Sequence, residues 1–159
     1  MSAGLVTAAY ISASGLFILA LGGLSKQEKA YEAMRRLKLD RREGQGTTGI
    51  ITSGVAYAYV KEVLDELDVA ESTQVLKITS IHPLPRYLIE EMLTTCSKIL
   101  VVEELEPYLE TDIKAIAHEI GAQCVIHGKG EQWIPRMYEL SGDRIRPALA
   151  RLHNIPIEA

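Results

Sequence analysis

The stretch KILVVEELEPYLETDIKAIAHEIG, residues 98–121, decides the fold class of this protein. It opens with a continuous apolar run, which is typical of a strand buried on both faces of a sheet. Pro107 then opens a helix whose apolar residues recur along one stripe, and Gly121 is placed to end it. A buried strand followed by an amphipathic helix predicts an α/β unit.

The same alternation continues on both sides of that stretch. Apolar, β-branched runs predict three further strands: GIITS at 49–53, QVLKITSI at 74–81 and QCVIHG at 123–128. Helices are predicted over 55–68 and 86–96, and a last helix follows Ser141 as its cap, bent or delayed by Pro147. This order predicts a mostly parallel sheet with helices on both faces, within a domain at residues 47–159.

Composition limits the kinds of partner. The 159 residues carry a net charge of -4, whereas a nucleic-acid-binding protein normally has a basic stripe, so no nucleic-acid partner is predicted. Cys96 and Cys124 lie far apart, and no CxxC motif occurs. This cysteine usage fits a reducing cytosol and excludes the usual iron–sulfur and zinc cysteine patterns.

The first 25 residues differ from the rest because none of them is charged. The run AGLVTAAYISASGLFILALGGL, residues 3–24, would form a helix of about 33 Å, long enough for a bilayer core. Positive residues begin at Lys26, so the N-terminus is expected outside and the following domain in the cytoplasm. The alternative is a buried or oligomer-forming apolar helix in a soluble protein.

Residues 26–46 form a strongly charged linker, predicted as a short helix followed by a flexible break. It either contacts anionic lipid headgroups or is simply solvated. Gly44, Gly46 and Gly49 spell G-x-G-x-x-G, but a dinucleotide site needs these glycines after a strand and before a helix. Here they precede a predicted strand, so no dinucleotide site is predicted.

Polar residues at the predicted carboxyl ends of strands are the candidate ligand-binding residues: Thr52, Ser53, Gly54, Glu103 and Glu104. The Thr-Ser-Gly turn offers hydroxyls and backbone N–H groups to an anion, or it is only a tight strand-to-helix turn. The two glutamates accept a proton or hold a cation, or they cap a neighbouring helix or pair with an arginine.

Other features predict neither a metal site nor catalysis. The four histidines have no metal-ligand spacing: His82, His118, His127 and His153. No P-loop, nucleophile elbow or thiamine-type GDG motif occurs. Around Pro135, the apolar residues Trp133, Met137 and Tyr138 predict either an interface or a cover for the core.

Five motifs between residues 46 and 152 resemble the alpha subunit of indolepyruvate ferredoxin oxidoreductase: GIITSGVAYAYVKEVL, LKITSIHPLP, KILVVEELEPYLE, IHGK and IPRMYELSGDRI. The resemblance is to that subunit's middle domain, which is similar to the C-terminal domain of transketolases. It implies a family that converts arylpyruvates to acyl-CoA with thiamine diphosphate and iron–sulfur clusters. Tyr138 stands where the family usually has glycine, which puts the local turn in doubt.

The same resemblance implies that two flanking domains hold thiamine diphosphate and that a cysteine-rich tail holds the clusters. This sequence contains neither, so we expect no cofactor to bind this chain alone, and no catalytic residue is carried over. Residues 1–28 resemble the start of the beta subunit of NAD(P) transhydrogenase, which implies a membrane helix and no transhydrogenase activity.

Three hypotheses follow for the whole chain. It is a non-catalytic piece of the oxidoreductase that acts as a scaffold or interface for other domains or subunits. Alternatively, it is a membrane-anchored cytoplasmic module that binds a ligand or partner. The third hypothesis is that the chain joins two unrelated coding segments, because both resemblances end near residues 27–46.

Overall fold

The computed structural model describes residues 39–130, 132–137 and 139–156. Within them, five strands and four helices follow one another along the chain. The strands are β1 (Arg41–Glu43), β2 (Thr48–Ser53), β3 (Thr73–Ile78), β4 (Lys98–Val102) and β5 (Val125–His127). The helices are α1 (Ala56–Glu66), α2 (Arg86–Thr95), α3 (Tyr108–Ile120) and α4 (Gly142–Leu152). The predicted alternation of strands and helices is confirmed.

The five strands form one sheet in the order β1-β3-β2-β4-β5. Strands β3, β2, β4 and β5 are parallel, whereas β1 pairs with β3 in the antiparallel direction. The prediction of a mostly parallel sheet is therefore confirmed. Because the four parallel strands point the same way, their carboxyl ends meet at one edge of the sheet.

Neighbouring residues of β2 build the cores on the two faces of the sheet. Ile50 packs with α1 and α4, whereas Ile51 packs with α2 and α3. Successive side chains of a strand point to opposite faces, so a central strand covered on both sides is apolar throughout. Both isoleucines are fully buried, and each such side chain stabilises the fold by about 1.5–3 kcal/mol. Helices on both faces are confirmed.

Strand β1 lies within the predicted linker at residues 26–46. Arg41 pairs with Lys77, and Glu43 pairs with Val75. The Glu43 carboxylate accepts a hydrogen bond of 2.7 Å from the Tyr57 hydroxyl and forms an ion pair of 3.1 Å with Lys61. The sheet therefore extends into this charged segment, because an edge strand needs no apolar side chains on its solvated side.

The glycines of the G-x-G-x-x-G pattern lie before β2 and at its second residue, where there is no room for a side chain. Gly44 and Gly46 have φ of 72° and 99°, and a Cβ on them would lie 1.9 Å from the Thr73 carbonyl oxygen and 2.3 Å from that of Ser72. Gly49 lies within β2, where a Cβ would lie 2.8 Å from Met92 Cε. The first two glycines precede the strand, as predicted, which is the wrong order for a dinucleotide fingerprint.

The residues that the sequence predicted to begin and end α3 and α4 can be compared with the observed helix ends. Pro107 stands before the first turn of α3, and Gly121 ends it with a left-handed φ of 64°, as predicted. Ser141 stands at the N-cap position of α4, although its hydroxyl makes no capping hydrogen bond. Of the two effects predicted for Pro147, a delayed start is wrong, since α4 begins at Gly142, and a bend stays a prediction. Burial of Ile145 and Leu149 holds the turns around the proline.

The predicted apolar helix at residues 3–24 lies outside the described residues, as does the first part of the charged linker. Within the ranges that the structure describes, no helix combines the length and the apolar character that a membrane span requires.

Candidate functional site

The loops that follow β3, β2, β4 and β5 share one side of the sheet, which we call the carboxyl edge: residues 79–82, 54–55, 103–107 and 128–130. All the candidate residues lie on this edge or at the end of the strand before it. Ligands of open parallel sheets bind beyond the carboxyl ends of the strands, so this is the expected place for a site.

Thr52, Ser53 and Gly54 form the end of β2 and the turn into α1. Thr52 is fully buried, and its hydroxyl has no hydrogen-bond partner among the described residues. Gly54 has a φ of 59° and open space where a Cβ would lie. Val55, at the N-cap position of α1, makes no side-chain capping hydrogen bond. The structure therefore contains the tight strand-to-helix turn, which was the alternative to an anion-binding site. The anion-binding site itself stays a prediction.

Glu103 directly follows β4, and its carboxylate is used within the protein. One oxygen accepts the backbone N–H of Leu109 at 2.8 Å, and the other accepts that of Glu110 at 2.9 Å. Burial raises the pKa of this carboxyl, and the two backbone donors oppose the rise. Glu103 therefore caps the first turn of α3, which is one of the two roles that the sequence left open.

Glu110 is a buried carboxylate that the sequence did not single out. It is 6% exposed, accepts the backbone N–H of Lys129 at 2.7 Å and pairs with Lys114 at 2.5 Å. A Cβ on Gly128 would lie 2.2 Å from its carboxyl carbon. Glu110 thus ties the loop after β5 to the start of α3. The only signal in the sequence is an acid four residues before a lysine beside apolar residues.

Lys129 brings positive charge to the same place. Burial lowers the pKa of its ammonium group, and four nearby carboxylates oppose that shift: Glu103, Glu104, Glu106 and Glu110. Glu104 itself is exposed to solvent. The edge beside β4 and β5 therefore carries more carboxylates than lysines, and Glu103 and Glu104 have different surroundings.

Some residues around Pro135 are buried in the core, and others are exposed at the surface. The Trp133 ring stacks on His127 with 3.9 Å between the ring centroids, and the Arg151 guanidinium lies 5.7 Å from the same indole. Ile134 is fully buried, whereas Met137 is 70% exposed. Trp133 and Ile134 cover the core, as one of the two alternatives predicted. Tyr138 lies outside the described residues.

A surface depression of about 470 Å³ lies at the start of α3. Its lining residues are Glu106, Pro107, Tyr108, Thr111 and Asp112. Across the described ranges, no group of three or more histidine, cysteine, aspartate or glutamate side chains is arranged to hold a metal ion. The depression is bordered by carboxylates and one aromatic ring, which suits a protein surface or a cationic group.

Two solved structures illustrate the similarity of fold. A split-gene transketolase in an inactive beta4 tetramer has a TM-score of 0.55 and 18% identity, over 72% of this chain and 42% of that chain. A 2-oxoglutarate:ferredoxin oxidoreductase from Magnetococcus marinus, with 2-oxoglutarate, coenzyme A and succinyl-CoA bound, has a TM-score of 0.54 and 19% identity, over 72% of this chain and 20% of that chain. The chain therefore has a transketolase-like fold.

Relatives in sequence include indolepyruvate oxidoreductase subunits named IorA. The Archaeoglobus fulgidus subunit is 34% identical over 128 residues, which cover 80% of this chain and 19% of that protein. The Thermococcus kodakarensis subunit is 38% identical over 130 residues, which cover 80% of this chain and 20% of that protein. No protein-family model matches the chain.

These relatives confirm the predicted resemblance to the indolepyruvate oxidoreductase. The chain is homologous to part of IorA, and it spans about a fifth of the length of the curated relatives it matches. They do not show the resemblance of residues 1–28 to a transhydrogenase, which stays a prediction.

Proposed function

We propose that the α/β domain is a non-catalytic part of an indolepyruvate:ferredoxin oxidoreductase and acts there as a scaffold or subunit interface. The observation that carries the proposal is its homology to one segment of IorA, at 34% identity over 128 residues. That segment corresponds, by the resemblance, to the middle domain of the alpha subunit. Its partners are the other domains or subunits of the same enzyme.

The use of the polar groups at the carboxyl edge supports a structural role. Glu103 is committed to two backbone N–H groups, and Glu110 to one backbone N–H group and Lys114. A general acid or base must be within hydrogen-bond reach of a substrate proton. Carboxylates whose oxygens already accept hydrogen bonds from the protein are poorly placed for that task. The domain supports a catalytic centre and does not contain one.

Thiamine diphosphate and iron–sulfur clusters belong, in this proposal, to other parts of the oxidoreductase. The cysteines available here are Cys96, which is buried, and Cys124, which packs against the same core as Cys96. Burial raises the pKa of the Cys124 thiol to about 11, which disfavours the thiolate that a cluster iron binds. The chain alone is therefore expected to bind neither cofactor.

A thermal-shift titration tests this directly. The melting temperature of the purified full chain is measured with thiamine diphosphate and Mg²⁺ from zero to millimolar concentration. We expect no change, because a ligand stabilises a protein only if it binds the folded state. A saturable rise of several degrees would reject the non-catalytic assignment.

The membrane-anchored module is the second candidate, and it rests on the uncharged run at residues 3–24. Fractionation of the full chain beside a chain that begins at Leu39 separates the anchor from the domain. An anchor places the full chain in the membrane fraction until detergent is added, and the shortened chain in the supernatant. Recovery of the full chain in the supernatant without detergent would eliminate the anchor.

A further inference from the structure

Exposed apolar side chains collect at the carboxyl edge. Ile81 follows β3 and Val55 follows β2, and each is 50% exposed. Leu105, which is 76% exposed, follows β4, and Tyr108, which is 71% exposed, begins α3. Because β3, β2 and β4 are neighbours in the sheet, these residues lie in a row of neighbouring loops along one edge. Rows of this kind, rimmed by polar groups, mark surfaces that bind other proteins.

Leu105 is the most unusual residue of this row. Its φ is 56°, in the left-handed region. The other non-glycine residues with positive φ in the described ranges are Asp68 and Asn154, whose side chains tolerate that region. A leucine gains nothing from the left-handed conformation, and it gains nothing from exposure to water. Both disadvantages are offset if another surface covers the side chain.

The surroundings of Leu105 identify the charge of the covering surface. The adjoining depression is lined by Glu106 and Asp112, and neither carboxylate takes part in an ion pair within the described residues. A partner that places lysine or arginine against them gains charge complementarity. A second copy of this chain, meeting the same surface in a two-fold contact, would bring like charges together.

We propose that Leu105, Glu106, Tyr108 and Asp112 form a docking surface for a different protein chain or domain. The partner presents an apolar side chain to Leu105 and Tyr108, and lysine or arginine to Glu106 and Asp112. This inference rests on the proposed role as a subunit interface and deepens it, since it locates the interface and gives the chemistry of the partner.

The test begins with a photo-crosslinking amino acid at position 108 of the full chain, expressed at its native level in the cells that encode it. The same amino acid at Val125, which is 53% exposed at the start of β5, is the control. Crosslinked peptides are identified by mass spectrometry. We expect position 108 to crosslink one protein surface that contains lysine or arginine beside apolar residues. Equal crosslinking at both positions, or crosslinking only to copies of this chain, would overturn the proposal.

The protein so identified is then purified, and its Kd for the full chain is measured. We expect Leu105→Gly and Glu106→Lys each to weaken binding by about tenfold or more, as anchors of an interface do. Val125→Ala is the matched control and is expected to leave the Kd unchanged. A Kd that does not respond to either edge substitution would overturn the docking surface.

The stability of Leu105→Gly separates docking from a structural role. Glycine adopts the left-handed conformation without steric strain, and this gain offsets the larger conformational entropy that glycine loses on folding, so the melting temperature of the free chain is expected to stay about the same or rise. A lower melting temperature would show that the leucine side chain stabilises the free fold, and would overturn its assignment as an anchor. If binding holds but the partner is not a part of an indolepyruvate oxidoreductase, the docking surface stands and the proposed function fails.

Discussion

Glu103 and Glu104 are adjacent in the sequence and have opposite surroundings in the structure. Glu103 is 6% exposed and accepts two backbone N–H groups at the start of α3, whereas Glu104 is exposed to solvent. The sequence predicted both as a pair of candidates, because nothing local distinguishes them. What separates them is the turn into α3, which brings the helix N-terminus back onto one carboxylate.

Replacing these two residues separately tests the capping role. Glu103→Ala leaves two buried backbone N–H groups without an acceptor, so we expect a loss of about 1–2 kcal/mol in the free energy of unfolding. Glu104→Ala is the matched control and is expected to change it by less than about 0.5 kcal/mol. Urea unfolding at pH 7 measures both values. Equal losses for the two variants would contradict the assignment of Glu103 as the cap.

The lowered pKa values of two histidines allow us to predict how the free energy of unfolding depends on pH. Burial, together with nearby Lys98, lowers the pKa of His153, and burial with Lys98 and Lys114 lowers that of His127. A lowered pKa means that the unfolded chain binds protons more readily. Their stabilising contribution is therefore present above the unfolded pKa of about 6.5 and is lost as the pH falls below it.

We expect His153→Asn to flatten the fall in unfolding free energy between pH 7 and pH 5, measured by urea titration at each pH. The exposed His118, replaced in the same way, is the control and should leave the pH dependence as it was. If His118→Asn flattens the profile as much as His153→Asn does, burial of His153 is not the cause.

Gly49 is constrained by the space around it, because the neighbouring side chains leave no room for a Cβ. A Cβ there would lie 2.8 Å from Met92 Cε, 2.9 Å from Cys96 Sγ and 3.0 Å from Ile99 Cγ1. We expect Gly49→Ala to lower the free energy of unfolding by about 1–3 kcal/mol through overpacking. Gly142→Ala is the matched control, because its Cβ would lie 3.6 Å from Val63 Cγ2, which is an ordinary contact. We expect it to leave the free energy of unfolding, measured by chemical denaturation, unchanged. A Gly49→Ala protein as stable as the unchanged chain would show that this core has room for a methyl group.

At the scale of elements, periodicity predicted the strands and helices that carry apolar patterns and missed β1, which carries none. Strands β2 and β4 and helix α3 carry the apolar patterns that burial requires. Strand β1 has the sequence Arg-Arg-Glu, which carries no such pattern. It is held by pairing with β3, by the 2.7 Å hydrogen bond from Arg42 to Gln74 and by the contacts of Glu43. All these contacts are distant in sequence, so no local rule finds them.

A comparison of two shortened chains tests the importance of β1. One begins at Leu39 and keeps the strand, and the other begins at Thr47 and lacks it. We expect the second to unfold at least about 2 kcal/mol more easily, because it loses a strand pairing and two charge-assisted hydrogen bonds. Thermal and urea unfolding measure the difference. Equal free energies of unfolding would mean that β1 does not stabilise the domain.

At the scale of the whole molecule, the sequence predicted the fold class and the relatives but not the details of the carboxyl edge. Ordered motifs such as KILVVEELEPYLE are local, and they sufficed to find the oxidoreductase resemblance. The contact between Glu110 and Lys129 and the left-handed backbone of Leu105 depend on how the loops meet after folding. The residues that support the proposed scaffold role are therefore those that the sequence described least well.

The central claim is that this domain performs the structural role of the homologous segment of IorA. The most direct measurement replaces the part of the Thermococcus kodakarensis subunit that aligns with residues 39–156 by those residues of this chain, and compares the product with a replacement by a glycine-serine linker. We predict that the chimaera assembles and oxidises indolepyruvate at least about tenfold faster than the linker version, a difference of about 1.4 kcal/mol in the barrier. A chimaera no more active and no better assembled than the linker version would contradict the claim.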